Sequence, residues 1–98
     1  MKNMTKKELI AEYYEIKRLF HNITKKDIWD IQKVMSETEH PKRYEYTRKI
    51  NNLEIMWDNK TEAGLKAMNK NQLREYLKKL TEDLKTANKL MKEGLEML

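Results

Sequence analysis

Between Asn69 and Leu98 the apolar positions fall at Leu73, Leu77, Leu80, Leu84, Ala87, Met91, Gly94 and Leu98, in alternating steps of four and three. Side chains spaced this way return to one side of a helix every seven residues, so the stretch carries a heptad seam. It predicts a helix of about 28 residues, roughly 42 Å at 1.5 Å per residue. No other periodic stretch exceeds about 18 residues, roughly 27 Å by the same rise. The last helix is therefore expected to outrun the rest of the bundle and to need another partner for its apolar end. The small residues Ala87 and Gly94 would let two helices approach closely, and Leu90, Leu95 and Met97 broaden the band. Residues 73–98 are thus expected to pair with a second copy, with the eight seam residues as the dimer interface. The alternative is that this helix folds back along its own bundle.

Earlier in the chain one local phrase recurs: Met4-Thr5-Lys6-Lys7-Glu8-Leu9, Ile23-Thr24-Lys25-Lys26-Asp27-Ile28 and Met68-Asn69-Lys70-Asn71-Gln72-Leu73. Each offers a side-chain oxygen as cap, a carboxylate or amide three residues on, and flanking apolar residues that staple the entry. Three helices are predicted to start near Lys6, Lys25 and Lys70. The first (about 6–21) gathers Leu9, Tyr13, Ile16 and Phe20, widened by Ile10 and Leu19, with Asn22 as its left-handed stop. The second (about 25–37) gathers Ile28, Ile31 and Met35, with Val34 on the flank and Trp29 pointing away. Pro41 suits the first turn of a third helix to about Asp58. Its main stripe is Tyr46, Ile50, Leu53 and Trp57, with Met56 beside it, while Tyr44, Arg48 and Ile55 line the reverse. Asp58-Asn59-Lys60 reads as a turn, and Thr61 caps a short helix to about Met68, separate from or fused to the last one. The predicted fold is a single all-α domain over 1–98, a small bundle of four or five helices with short connections and mostly antiparallel neighbours.

Composition sharpens this picture by exclusion. With two Gly and one Pro there is little from which to build hairpins, and with no Cys neither disulfides nor thiolate chemistry exist. Charged residues reach 38% and the net charge is +5. That charge is spread as +1 over residues 1–40, +2 over 41–68 and +2 over 69–98. No basic tail is dedicated to a polyanion. Of the basic residues 17 are Lys and four are Arg, a balance that argues against bidentate reading of bases. The first residues lack an apolar leader segment and no run is long enough to span a bilayer, so a cytoplasmic protein without membrane association is expected. The richness in Lys, Asn and Ile is compatible with an AT-rich bacterial or phage gene.

Catalytic chemistry finds no foothold. His21 and His40 stand alone at predicted helix ends, no glycine loop could cradle a phosphate, and the carboxylates Glu8, Glu12, Glu15, Glu82 and Asp83 sit among lysines at ion-pair spacing. No enzyme activity, metal or cofactor is expected. A nucleic-acid-binding regulator would use Lys42, Arg43, Arg48 and Lys49 among Tyr44 and Tyr46, extended by Lys25, Lys26 and Lys33 if the second and third helices are neighbours. Against a helix-turn-helix at 24–58 stands the missing short glycine turn. Binding to anionic lipid is disfavoured because the polar faces carry nearly as much acid as base. A protein partner is expected first, docked on Trp29, Tyr44, Arg48 and Ile55, residues the core pattern leaves unused and of types that dominate interfaces. The overall expectation is a homodimeric adaptor, regulator or inhibitor, with the nucleic-acid regulator as alternative.

Overall fold

Two long rods and a broken return segment make up the computed structural model, which describes residues 4–98. The reading of a leaderless N-terminus falls partly on residues 1–3, outside the described residues. In order, the chain forms α1 (Lys6–Ile23), a π-helical turn (Thr24–Ile28), α2 (Trp29–Glu37), α3 (Arg43–Asn51), a 3-10 turn (Glu54–Trp57), α4 (Glu62–Ala67) and α5 (Lys70–Met97), with no strand among the described residues. The all-α bundle with a long C-terminal helix is the fold that the periodicity predicts.

Both outer caps form as their chemistry requires. Thr5 Oγ1 accepts from the Glu8 N–H at 3.2 Å while Glu8 Oε1 accepts from the Thr5 N–H at 2.9 Å. That second bond holds the exposed Glu8 carboxyl below its usual pKa range. Asn69 and Gln72 make the same reciprocal pair at the start of α5. Thr61 caps α4 through the Gly64 N–H, and Met68 is extended, so α4 and α5 are separate.

The middle phrase behaves differently. Ile23, Thr24 and Ile28 all have right-handed helical backbone, so Asn22 stops nothing and α1 runs through the π turn into α2. This corrects the expectation of two separate helices. The buried positions explain the π turn. Leu9, Tyr13, Ile16 and Phe20 keep a heptad rhythm, whose next members would be Ile23 and Asp27, yet the buried residues are Ile28, Ile31 and Met35. The seam arrives one residue late, and a π turn absorbs one extra residue without breaking the helix. Thr24 does not cap; its hydroxyl donates back to the Phe20 carbonyl at 2.8 Å inside the turn. The rod therefore spans 6–37, and α5 does not outrun the bundle.

The two rods lie parallel to each other, with the segment between them antiparallel to both, so consecutive segments are antiparallel as the short connections predict. Tyr13 stacks on Tyr76 near their beginnings, and Ile31 meets Gly94 near their ends; both pairs are 63 residues apart. Residues 43–67 return antiparallel between them. Tyr46 donates to the Leu90 carbonyl at 2.9 Å, the Ile55 N–H to Asp83 Oδ2 at 3.1 Å, and Lys6 Nζ to the Lys66 carbonyl. Asp58 anchors this segment on α1: its side chain is 2% exposed, accepts from the Tyr13 hydroxyl and lies 3.2 Å from Lys17 Nζ. Burial first, and that hydrogen bond second, push the Tyr13 hydroxyl pKa well up. Burial likewise pushes Tyr46 up to about 12, helped by the Glu93 charge.

The return segment is not one helix from 41 to 58. Pro41 lies in the turn before α3, where Glu39 takes a left-handed φ of 50° and the His40 N–H closes on the Met35 carbonyl at 2.8 Å. α3 then ends at Asn51, Leu53 is extended and a 3-10 turn follows. The break swaps two predicted faces. Ile55 is buried at 1% exposure, whereas Trp57 is 68% exposed and its indole N–H donates to the Asn51 carbonyl at 2.6 Å.

Candidate interaction surface

The seam of α5 is largely spent inside the chain. Leu73, Leu77, Leu80, Ala87 and Gly94 are buried in its own core, and Leu84 and Met91 are half-buried against it. Of the eight residues assigned to a dimer interface, Leu98 is exposed, at 54%, with Leu95 beside it off the seam. Apolar side chains already removed from water have no further burial to offer a second copy. The length mismatch that predicts a dimer does not exist, because the α1–α2 rod is at least as long as α5.

A different surface emerges between α2 and α3. Gln32 Nε2 donates to Thr47 Oγ1 at 3.4 Å, which sets the two helices side by side across the turn. On α2, Trp29 and Ser36 lie three before and four after Gln32, hence on its face; on α3, Tyr44 and Asn51 stand in the same relation to Thr47. Trp29 is 64% exposed and Tyr44 is 74% exposed. Arg48, exposed, follows Thr47 and sits one turn from Tyr44. The Arg43 guanidinium covers one side of the Tyr44 ring, 4.6 Å from its centroid, and donates to the His40 carbonyl at 2.8 Å. Three of the four residues expected to meet a protein partner, Trp29, Tyr44 and Arg48, thus share one outward face. Ile55, the fourth, belongs to the core, and its assignment to a contact surface is corrected: the bend after Asn52 turns it inward.

The four basic residues assigned to nucleic acid do not gather. Lys42 and Lys49 are seven apart and share the edge of α3 turned away from Thr47, Lys49 lies 3.6 Å from Glu45, and Arg43 is engaged with His40 and Tyr44. Arg48 alone looks out on the α2 side. The basic residues that do flank the aromatic face come from α2 and the π turn. Lys25 lines a shallow cleft on one side of Trp29 with His21 and Thr24, and Lys33 lines another on its far side with Ser36 and Glu37. Lys25, Lys33 and Arg48 form no ion pair among the described residues, whereas Lys17, Arg18, Lys49, Lys66 and Lys79 each do.

The sequence supplied Trp29 as an off-face aromatic but not its alignment with α3. That alignment depends on the π turn, which rotates α2 relative to α1. His40, placed at a helix end by sequence, accepts the Lys42 N–H on Nδ1 at 3.1 Å within the α2–α3 turn, while His21 lies inside the continuous rod. No protein-family model matches the sequence, and no curated protein or solved structure shows significant similarity to it. No helix among the described residues is long and apolar enough to cross a membrane.

Proposed function

We propose that this protein is a non-enzymatic binding module, an adaptor, regulator or inhibitor, that docks a protein partner on the α2/α3 face. The observation that carries this reading is the display of Trp29 and Tyr44, both mostly exposed, on one face with Arg48. Trp, Tyr and Arg supply most of the energy of protein interfaces. Nothing in the fold needs these three residues outside. The core is complete without them, and the exposed rings cost solvation free energy until something covers them.

The test is site-specific photo-crosslinking in cells, with the reactive group at Lys33 on the face and, as control, at Lys78 on α5. A discrete protein adduct at Lys33, absent at Lys78 and lost in Trp29→Ala with Tyr44→Ala, supports the reading. An adduct that survives the double substitution removes this face from consideration, and an adduct with nucleic acid transfers the face to that alternative. For a second copy, Leu95 and Leu98 are the apolar residues of α5 left outside. Light scattering decides this separately, with a mass near 12.0 kDa giving a monomer.

A further inference from the structure

The charge around the aromatic face defines what the partner must carry, given the protein-binding reading above. Lys25 and Lys33 stand on either side of Trp29, and Arg48 stands a turn from Tyr44 on the facing helix. None of the three forms an ion pair among the described residues. Asp27 in the π turn and Asp30 on α2 fall on the flank away from α3, about a quarter to a half of a turn around from Trp29. On α3, Glu45 is held by Lys49. Glu37 is the one carboxylate lining the Trp29 clefts, at the far end beside the α2–α3 turn. The face is thus aromatic at its centre and positive at its rim.

We infer that the partner presents an acidic amphipathic helix, laid across the α2/α3 face with its apolar stripe on Trp29 and Tyr44 and its carboxylates against Lys25, Lys33 and Arg48. Charge complementarity fixes the sign: carboxylates brought to this rim would satisfy three cations that have no ion-pair partner among the described residues. The mode follows from the fold. Among the described residues there is no strand, hence no sheet edge for an extended peptide to join, whereas a third helix can pack across two short antiparallel helices by side-chain contacts. A nucleic-acid strand is the poorer fit. It needs a continuous cationic track, whereas Lys42 and Lys49 lie on the other edge of α3 and Glu37 puts a carboxylate in one of the clefts beside Trp29.

The test titrates the full-length, nitrogen-15-labelled protein with three probes: a synthetic helix of Leu, Ala and Glu with its leucines in one stripe, the same helix with Gln for every Glu, and oligothymidylate. The Glu helix is expected to shift the Trp29 indole N–H and the Lys33 and Arg48 amides while leaving Gly64, at the far end of the molecule, unmoved. Affinity for the Glu helix should exceed that for the Gln helix about ten-fold and fall with salt, and Lys33→Glu with Arg48→Glu should abolish that preference. Equal binding of the Glu and Gln helices would overturn the acidic partner and leave the docking face standing. Shifts with oligothymidylate alone would assign the face to nucleic acid. No shift with either helix would overturn the inference, and the crosslinking experiment then decides the face independently.

Discussion

α5 and the rod formed by α1, the π turn and α2 lie side by side, run the same way and have similar lengths, yet they keep their apolar faces inward by different means. α5 stays a regular α-helix over 28 residues, with Leu90 joining Leu73, Leu77, Leu80, Ala87 and Gly94 in the core, and needs no irregularity. The other rod loses the rhythm between Phe20 and Ile28 and recovers it by widening one helical turn. What distinguishes them is phase, not helix strength: a seam that slips by one residue can remain a single helix if the backbone absorbs the slip. The irregular rod is also the one that carries the exposed Trp29. A regular helix through the same sequence would have moved Trp29 about 100° around the axis, away from α3.

Substitutions on the two rods test whether the π turn restores the seam fully. Ile28→Ala and Leu80→Ala remove fully buried side chains, one from each rod. Each is expected to destabilise by about 2–5 kcal/mol in urea unfolding. Trp29→Ala, one residue along from Ile28, should cost no more than about 0.5 kcal/mol, as exposed sites do. A large loss at Trp29 with a small one at Ile28 would mean that the rod's phase is misassigned.

Gly94, where α5 packs against Ile31 and Tyr46, gives a test of sign. A Cβ on Gly94 would lie 2.8 Å from both Ile31 Cγ2 and Tyr46 Oη, and 2.9 Å from Tyr46 Cζ. In an exposed helix Gly→Ala stabilises by about 1 kcal/mol. Here the Tyr46 ring cannot retreat without losing its bond to the Leu90 carbonyl, so Gly94→Ala is expected to destabilise by about 1–2 kcal/mol net. A stabilised variant would show that the junction has slack.

The same comparison shows where sequence is sufficient. Capping boxes and the four buried residues of α1 are local, set by neighbours three and four apart, and Thr5, Asn69, Leu9, Tyr13, Ile16 and Phe20 all stand where the pattern puts them. The direction of the rods is not local. It follows from pairs such as Tyr13 with Tyr76 and Ile55 with Asp83, far apart in the chain and unmarked by any motif. The exchange of Ile55 and Trp57 has the same origin: the helix period predicted from 41 to 58 does not survive Asn51-Asn52, two poor helix formers that the fold uses as a bend. For the candidate surface, residue types pointed to Trp29, Tyr44 and Arg48, but their shared face required the π turn and the Gln32–Thr47 contact.

Alkaline titration probes the contacts between rods and return segment more gently. Tyr13 and Tyr46 both ionise above their ordinary value of 10.0 when folded, Tyr46 at about 12. The folded state therefore keeps these protons to higher pH than the unfolded chain. Their contribution is fully present below about pH 10 and is lost as pH rises from there toward the folded values. Urea midpoints should hold steady from neutral pH to about pH 10 and fall beyond it. Tyr46→Phe should lose about 1 kcal/mol at neutral pH, with the Leu90 carbonyl bond, and show a shallower alkaline fall.

Deleting Lys25 makes the most direct comparison, because it converts one kind of rod into the other. Phe20 and Ile28 then stand seven residues apart, the heptad rhythm continues unbroken, and the π turn has nothing left to absorb. Lys25 is exposed and forms no ion pair among the described residues, so its removal takes no core contact with it. Helix content by circular dichroism should be unchanged and stability should stay within about 1 kcal/mol of the parent. Ile28 remains buried and Trp29 remains out in that case, with one cation fewer at the rim of the aromatic face. A loss of several kcal/mol would instead mean that tertiary contacts around Thr24 hold the π turn for its own sake, and that the irregular rod is built to its shape and not merely rescued by it.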